Sequence, residues 1–328
     1  MKQYERIESL YGPQSAGDNP FTAKARLLQS VYRIQIGEAA MGVGPNEYSR
    51  NKVTKEPSYY GNMLLNGSLS QKNFFFKETF EYAEHRVENK RKEETIDRYR
   101  LFNNLLSSMP LAFNLFHPLM MIKSKYPDLL NKMVRNLFPS LPVWNVEEIL
   151  IEFVPTPIFD YTNDKSAMDA AILFSDEENN KYIIAIETKY TDCLGLNKAE
   201  DNEAKVTTAR KSGLFTANGL EHIQNGCTQI YRNFLLTEKY RMVHQLKDSF
   251  SIILAPMDHP TTEKEITSLR TFLKQEYHYK LEKYSLEDFV FNLGKSCPKD
   301  FQAWLMGFFN RYLDFDKIES ILKEDDLS

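Results

Sequence analysis

The stretch MDAAILFSDEENNKYIIAIETKY, residues 168–190, decides the fold of this 328-residue chain. It contains two short apolar runs, Ala170–Phe174 and Tyr182–Ile186, which are separated by the polar segment Asp176–Lys181. Runs of this length that are rich in Ile, Leu, Phe and Tyr are typical of β-strands. The stretch therefore predicts a β-hairpin that turns within the polar segment.

Three charged residues stand at one end of this predicted hairpin. Asp169 opens the first strand, and Glu187 and Lys189 close the second. Because side chains alternate along a strand, Glu187 and Lys189 share one face and Thr188 points to the other. The start of one hairpin strand lies beside the end of its partner. We therefore expect two carboxylates and one ammonium group to gather at the same end of a small sheet.

This grouping of charges has a chemical use. Two converging carboxylates repel each other, and a divalent cation such as Mg2+ removes that repulsion because it favours carboxylate oxygens. A lysine beside the ion can orient a bound water or stabilise charge on a phosphate. The same spacing also occurs at solvated strand ends. The apolar run before Glu187 favours a functional interpretation, because charges fixed there are costly unless they are used or paired.

Asp169, followed after the hairpin by Glu187-Thr188-Lys189, resembles the signature of the PD-(D/E)XK nuclease superfamily. The resemblance covers residues 100–256. It implies an α/β, restriction-endonuclease-like fold: a central mixed sheet flanked by helices, here with a helical N-terminal elaboration. It also implies that Asp169, Glu187 and the carbonyl of Thr188 bind one or two Mg2+ or Mn2+ ions. Lys189 would then position the attacking water or stabilise the phosphate.

The neighbouring segments fit this resemblance. Residues 149–159 predict the strand before the hairpin, residues 220–239 the helix after it and residues 251–256 the next strand. Residues 100–119 are similar to a block in a bacterial restriction-endonuclease-like subgroup of the superfamily. Met168 stands where the superfamily usually has proline, which matters little because the following aspartate carries the chemistry.

Three further polar residues are candidates for the site. In nucleases of this type a glutamine or basic residue on the helix after the hairpin often helps to hold the scissile phosphate or the metal-bound water. Gln229 is the closest match by position, with Arg232 behind it, and Asn218 is the expected helix cap. A solvated helix face would show the same polar residues. Glu152 lies in an apolar strand and is a candidate third carboxylate for the metal.

The charge balance neither excludes nor favours DNA as a partner. The net charge is −4, whereas nucleic-acid enzymes usually present a basic surface. Lys205, Arg210 and Lys211 form the best candidate phosphate-binding patch after the predicted site. They lie in the long polar segment Thr191–Gly219, which could cover the site as a loop. The alternative is a partly helical insertion, with a helix over residues 199–211.

Composition limits the compartment and the partners. The opening residues carry no apolar segment, so no secretory signal peptide is expected. The longest apolar stretch, Leu111–Ile122, is interrupted by Asn114, His117 and Pro118, which argues against a membrane span. Three widely spaced cysteines indicate no disulfide framework and favour the cytoplasm. The expected partner is DNA, with no membrane association, and a homodimer is a possible assembly.

These features together predict a metal-dependent nuclease, most simply a DNA endonuclease. Residues 1–140 are expected to form the helical N-terminal elaboration, and residues 141–328 the nuclease-like core with C-terminal helices. One alternative is a catalytically inactive nuclease-fold protein that binds nucleic acid or a partner protein. Another is a structural protein in which the charges form an ion-pair cluster. A titration with a divalent metal distinguishes that cluster from a catalytic or relic metal site.

Overall fold

The computed structural model describes residues 2–198 and 203–326 of the chain. Helices precede, separate and follow the strands along the chain. They are α1 (Lys2–Tyr11), α2 (Pro20–Gln35), α3 (Gly67–Ser70), α4 (Lys77–Glu88), α5 (Arg98–Asn103), α6 (Ser108–Lys125), α7 (Pro127–Leu137), α8 (Glu203–Ser212), α9 (Ala217–Gln224), α10 (Gln229–Val243), α11 (Thr262–Arg270), α12 (Leu286–Gly294), α13 (Gln302–Tyr312) and α14 (Phe315–Asp326).

The strands form two separate sheets. They are β1 (Met41–Val43), β2 (Tyr59–Leu64), β3 (Asn145–Phe153), β4 (Met168–Ser175), β5 (Lys181–Thr188), β6 (Asp248–Ala255) and β7 (Leu281–Ser285). β1 and β2 pair antiparallel, and β3 to β7 form a five-stranded sheet in sequence order. Within it β3, β4 and β5 are antiparallel, whereas β5, β6 and β7 are parallel. This mixed sheet with its helices confirms the predicted α/β fold class.

The predicted hairpin is confirmed as β4 and β5. Its turn is closed by the side chain of Asp176, whose Oδ1 accepts hydrogen bonds from the backbone N–H groups of Glu178 and Asn180 at 3.0 and 2.8 Å. Asn179 takes a positive φ of 64°, which asparagine tolerates better than most residues. β5 is buried from Tyr182 onward because it has neighbours in the sheet on both sides. This burial explains its continuous apolar run.

The prediction of a single helix after the hairpin is wrong. The segment forms two helices, α9 and α10, with a break between them. Gly226 lies in that break with φ of 110°, a conformation that ends a helix and suits glycine. The predicted cap Asn218 is also wrong, because the hydroxyl of Thr216 accepts the hydrogen bond from Gly219 N at 3.1 Å. The predicted apolar stripe is present, because Ile230 and Phe234 of α10 belong to the same buried hydrophobic cluster.

The segments on either side of the hairpin also differ in detail from the predictions. β3 ends at Phe153, before Pro155 and Pro157, because proline cannot donate to the next strand. The polar segment after β5 contains the helix α8, so it is a partly helical insertion. The predicted helix over residues 199–211 begins outside the described residues and agrees with α8 from Glu203 onward.

Contacts within the chain define two units. One consists of Met1–Asn89, Ile96–Leu115 and Asp300–Ser328, and the other of Lys90–Thr95 and Phe116–Lys299. The second unit contains the five-stranded sheet and all of the predicted site residues. The assignment of an elaboration to residues 1–140 stays a prediction.

Helices α13 and α14 contribute buried side chains to the interior of the first unit. Ile318 of α14 packs in one cluster with Leu28 of α2. Arg311 of α13 is fully buried and donates hydrogen bonds to the carbonyl of Asn73 at 2.8 Å and to Gln29 Oε1 at 3.3 Å. Its guanidinium also lies 4.5 Å from the centre of the Tyr312 ring. A buried charge of this kind is stable only because polar and aromatic groups surround it.

Within residues 2–198 and 203–326, none of the helices combines the length and the apolar character that a membrane crossing needs.

Candidate active site

The candidate site is built at the end of the β4–β5 hairpin. Ala170 pairs with Ile186, and the same register continued by one residue sets Asp169 opposite Glu187. Asp169 Oδ2 accepts hydrogen bonds from the backbone N–H and the hydroxyl of Thr188, at 2.7 and 2.8 Å. These two hydrogen bonds fix the end of β5 to the carboxylate of Asp169, which the sequence analysis selected.

Glu187 and Lys189 form an ion pair inside the protein. Lys189 Nζ lies 2.7 Å from Glu187 Oε1, and the two side chains are only 7 and 5 % exposed. Both residues lie on the same face of the strand, as side-chain alternation predicts. A pair this buried has lost most of its hydration, so it needs further hydrogen bonds to be stable.

Helix α10 supplies those hydrogen bonds to the carboxylate. Gln229 Nε2 donates to Glu187 Oε1 at 2.8 Å, and Asn233 Nδ2 donates to Glu187 Oε2 at 2.6 Å. The sequence analysis selected Gln229 but missed Asn233. The signal was present in the spacing, because residues four apart lie on the same face of a helix.

Gln229 also connects the site to the segment after β5. Its Oε1 accepts a hydrogen bond from Gly195 N at 2.7 Å and lies 3.5 Å from Lys189 Nζ. Gly195 O in turn accepts from Gln229 N at 3.0 Å. A Cβ atom added at Gly195 would lie 3.4 Å from Gln229 Oε1, a tight contact, so glycine suits this close approach. The first residue of α10 therefore holds the loop beside the ion pair.

Three further titratable residues lie within electrostatic range of Lys189, and sequence reasoning missed all of them. They are Asp192, His259 and Glu265. Burial lowers the pKa of His259, and the nearby lysines Lys283 and Lys189 lower it further. Burial raises the pKa of Glu265. No local pattern marks these residues because they come from different loops and from α11.

The site carries more negative charge than its lysine can balance. Burial, together with the nearby carboxylate of Asp169, raises the pKa of Glu187 to about 7. Burial alone would lower the pKa of Lys189, but the carboxylates of Glu187 and Asp169 outweigh it, and this pKa is raised. Lys189 is therefore an ammonium ion at neutral pH, and the region around Glu187 favours an additional positive charge.

The raised pKa of Glu187 predicts a pH dependence of stability. Because its ordinary value is 4.5, the folded protein binds more protons than the unfolded chain between about pH 4.5 and 7. This contribution makes the free energy of unfolding decrease as pH rises through that window. Glu187→Gln removes it, so the melting temperature of the variant should rise relative to that of the unaltered protein from about pH 5 to pH 7 in EDTA. The exposed Glu178→Gln is the control, and a pH-independent difference for Glu187→Gln would contradict the assignment.

Glu152 lies next to the site in the sheet. Its neighbours Ile151 and Phe153 pair with Ala170 and Met168, so Glu152 is level with Asp169. It is 6 % exposed and has a positive φ of 48°, which is unusual for a residue of this type. Backbone strain of this kind often occurs at functional sites. Its role as a third metal ligand stays a prediction.

The predicted phosphate-binding patch is wrong for one of its three residues. Lys205 is fully buried, where its Nζ pairs with Asp164 Oδ2 at 2.9 Å and donates to Thr162 O at 2.9 Å. Its charge stabilises the fold and cannot reach a phosphate. Arg210 and Lys211 are exposed. Arg232, the second helix candidate, donates to the backbone carbonyl of Asn197 at 2.8 Å and so also holds the loop.

The oxygen donors of the site suit a hydrated divalent ion. Among the residues that the structure describes, no three His, Cys, Asp or Glu side chains are grouped closely enough to hold a metal. Mg2+ needs fewer protein ligands, since it is commonly bound by one or two carboxylates, several waters and a substrate phosphate. Asp169 and Glu187 provide that pair of carboxylates. The surplus negative charge around Glu187 also fits a hard cation.

Comparison with known proteins agrees with this geometry. No curated protein and no solved structure matches the chain. A family model described as the PD-(D/E)XK nuclease superfamily matches residues 16–314. The match extends well beyond the hairpin and takes in most of both units. It confirms the resemblance that Asp169, Glu187 and Lys189 indicate in the sequence. This chain therefore belongs to the PD-(D/E)XK nuclease superfamily.

Proposed function

We propose that this protein is a metal-dependent nuclease that hydrolyses phosphodiester bonds in DNA. The observation that supports this most strongly is the buried pair Glu187 and Lys189 at a strand end, with Asp169 close enough to raise the pKa of Glu187. Charges held in this way cost stability, and active sites are where such a cost is commonly retained. Membership of a nuclease superfamily gives the reaction class.

Asp169 and Glu187 would hold Mg2+ or Mn2+, with the backbone carbonyl of Thr188 and, at the edge, Glu152 as further oxygen donors. A divalent ion bound there would supply an activated water and neutralise charge on the phosphate. Gln229 and Asn233 fix the orientation of the Glu187 carboxylate through their amide groups. Fixed orientation matters because a ligand that need not reorganise on binding contributes more to the reaction.

Lys189 acts in this mechanism as a cation and hydrogen-bond donor. Because its pKa is raised, it is protonated at neutral pH and is a poor general base. Its ammonium can orient the attacking water and stabilise the negative charge that develops on the phosphate oxygens. Gln229 Oε1, 3.5 Å from Lys189 Nζ, helps to keep the ammonium at the strand end.

A second function is favoured by one specific observation. Three protein donors already contact the Glu187 carboxylate, namely Lys189, Gln229 and Asn233. A carboxylate has about four lone-pair positions, so a metal ion must use the remaining one or displace a donor. A nuclease-fold protein that binds nucleic acid or a partner protein without cutting needs no metal ion, so its Glu187 carboxylate can keep all three protein donors.

Cleavage and metal binding measured together separate the two functions. We expect the purified protein to cut plasmid DNA with Mg2+ or Mn2+, and EDTA to stop the reaction. Each metal should also raise the melting temperature, because an ion that binds only the folded protein stabilises it. Glu187→Gln should lose both effects. DNA binding without cleavage under every metal condition would favour the inactive alternative, and a melting temperature insensitive to both metals would exclude the metal site.

A further inference from the structure

A second polar region lies at the same end of the sheet as the candidate site. In the parallel part of the sheet Glu187 pairs with Ile253, and Ile253 pairs with Lys283. Lys283 is therefore level with Glu187 and two strands away. With neighbouring strands about 4.8 Å apart, the two backbones are separated by about 10 Å.

Lys283 belongs to an open groove with a volume of about 550 Å³. The end of α7 contributes Arg135, the middle of β7 contributes Lys283, and the residue after α12 is Lys295. Within residues 2–198 and 203–326, Asp288 is the one acidic residue that lines the groove. Three positive charges and one negative charge give a local balance of +2, in a chain whose net charge is −4. We call this region the β7 groove.

Among the residues that the structure describes, no carboxylate lies close enough to neutralise the cations of the β7 groove. Arg135 Nη1 donates to the backbone carbonyl of Trp144 at 3.1 Å, and Lys295 Nζ lies 5.1 Å from the centre of the Phe291 ring. Lys283 Nζ has one carboxylate partner, Glu263, at 4.0 Å, and that glutamate is 68 % exposed. Long contacts to solvated partners are weak, so all three charges remain able to attract an anion.

The neutral groups of the groove suit the same kind of ligand. Asn136, Asn292 and Tyr284 line it beside the cations, and Asn136 Nδ2 donates to Ser296 Oγ at 2.9 Å. Arginine, lysine, asparagine and tyrosine are the side chains that commonly donate hydrogen bonds to phosphate oxygens. Such contacts fix the register of a nucleic acid without reading its sequence.

We propose that the β7 groove binds the phosphodiester backbone of the nucleic acid next to the bond that is cut. The proposal rests on the proposed function, because it takes the Asp169–Glu187–Lys189 site as the place of cleavage. The groove would provide a local phosphate-binding surface on a protein with a negative net charge. The buried Lys205 cannot provide one. Because Lys283 is level with Glu187 in the parallel part of the sheet, a nucleic acid whose scissile bond lies at the site can reach this part of the groove.

The test compares two triple variants that lose the same charge. Arg135→Gln, Lys283→Gln and Lys295→Gln together remove the cations of the groove. Lys125→Gln, Lys247→Gln and Lys274→Gln form the control set, since Lys247 and Lys274 precede β6 and β7 and so lie at the other end of these strands. Binding to a labelled 20-base-pair DNA duplex is measured by fluorescence anisotropy in EDTA over a series of salt concentrations. A duplex RNA of the same sequence is the parallel probe.

We expect the groove variant to bind DNA at least tenfold more weakly at low salt. Three lost phosphate contacts should reduce the slope of log affinity against log salt by about 2.7, at about 0.9 for each phosphate. The single variant Lys295→Gln, at an exposed position, should give about a third of that change even if the triple variant folds poorly. A loss on DNA alone, or on DNA and RNA together, supports the groove as a phosphate site.

Unchanged slopes in the groove variants, or a larger loss in the control variant, would overturn the proposal. So would the absence of measurable binding by the unaltered protein. Cleavage of the DNA duplex with Mg2+ or Mn2+ is measured separately. If the unaltered protein cuts nothing and the groove variant still loses binding, the proposed function fails and the groove remains a phosphate-binding surface.

Discussion

Lys189→Met is expected to slow DNA cleavage by about 10²–10³-fold or more, the usual effect of removing one donor that stabilises developing charge. The methionine keeps the length and apolar body of the side chain but cannot supply the ammonium that pairs with Glu187. The measurement is the single-turnover rate of cleavage of a defined DNA duplex with saturating Mg2+. Lys181→Met is the matched control, because Lys181 begins the same strand at its other end.

Unfolding must be separated from loss of chemistry in this experiment. Lys189→Met alone leaves two carboxylates close together and should lower the melting temperature. The double variant Lys189→Met, Glu187→Gln removes both charges of the pair, so it should regain a melting temperature near that of the unaltered protein and remain inactive. Full activity in Lys189→Met, or recovered activity in the double variant, would place the reaction elsewhere in the chain.

Arg311→Ala is expected to lower the free energy of unfolding by about 3–5 kcal/mol, the largest loss of stability that we predict. The change removes the buried hydrogen bonds that the guanidinium donates to the carbonyl and side-chain oxygens of Asn73 and to Gln29 Oε1. It also opens a cavity among the rings of Tyr32, Phe75 and Tyr312. Urea denaturation followed by circular dichroism measures the loss.

The exposed Arg50 provides the control for this variant. Arg50→Ala removes the same type of side chain from the surface and should change the free energy of unfolding by less than about 0.5 kcal/mol. Arg311→Lys keeps a charge but not the forked donors, and it should therefore recover only part of the loss. Equal stabilities for Arg311→Ala and Arg50→Ala would mean that the buried contacts contribute little.

The hairpin and the charged residues at its end were predictable from sequence because both depend on local spacing. Two apolar runs, a polar turn and side-chain alternation are enough to set Glu187 and Lys189 on one face. Asn233 was missed because only the tertiary packing of α10 against β5 brings its amide to the carboxylate. Its spacing from Gln229 was visible but could equally belong to a solvated helix face.

Other differences arise where tertiary contacts override local pattern. The apolar stripe suggested one helix because it continues across the break at Gly226, whose backbone conformation the sequence alone does not fix. Lys205 was assigned to the surface by its residue type, whereas an acidic partner far away in sequence, Asp164, makes its burial possible. The positive φ of Glu152 likewise has no signature in the residues around it.

The arrangement of the two units along the chain has a consequence for biosynthesis. The unit that contains the five-stranded sheet is nearly continuous and ends at Lys299, whereas the other unit needs the segment that begins at Asp300. Domains tend to fold as their last residues leave the ribosome. The unit that begins at the N-terminus is therefore the last to be synthesised completely. The apolar surface around Leu28 stays unpacked until Ile318 has been translated. Premature termination near residue 300 would release a chain that contains all five strands of the larger sheet but lacks the last segment of the other unit, and chaperones and proteases act on such incomplete chains.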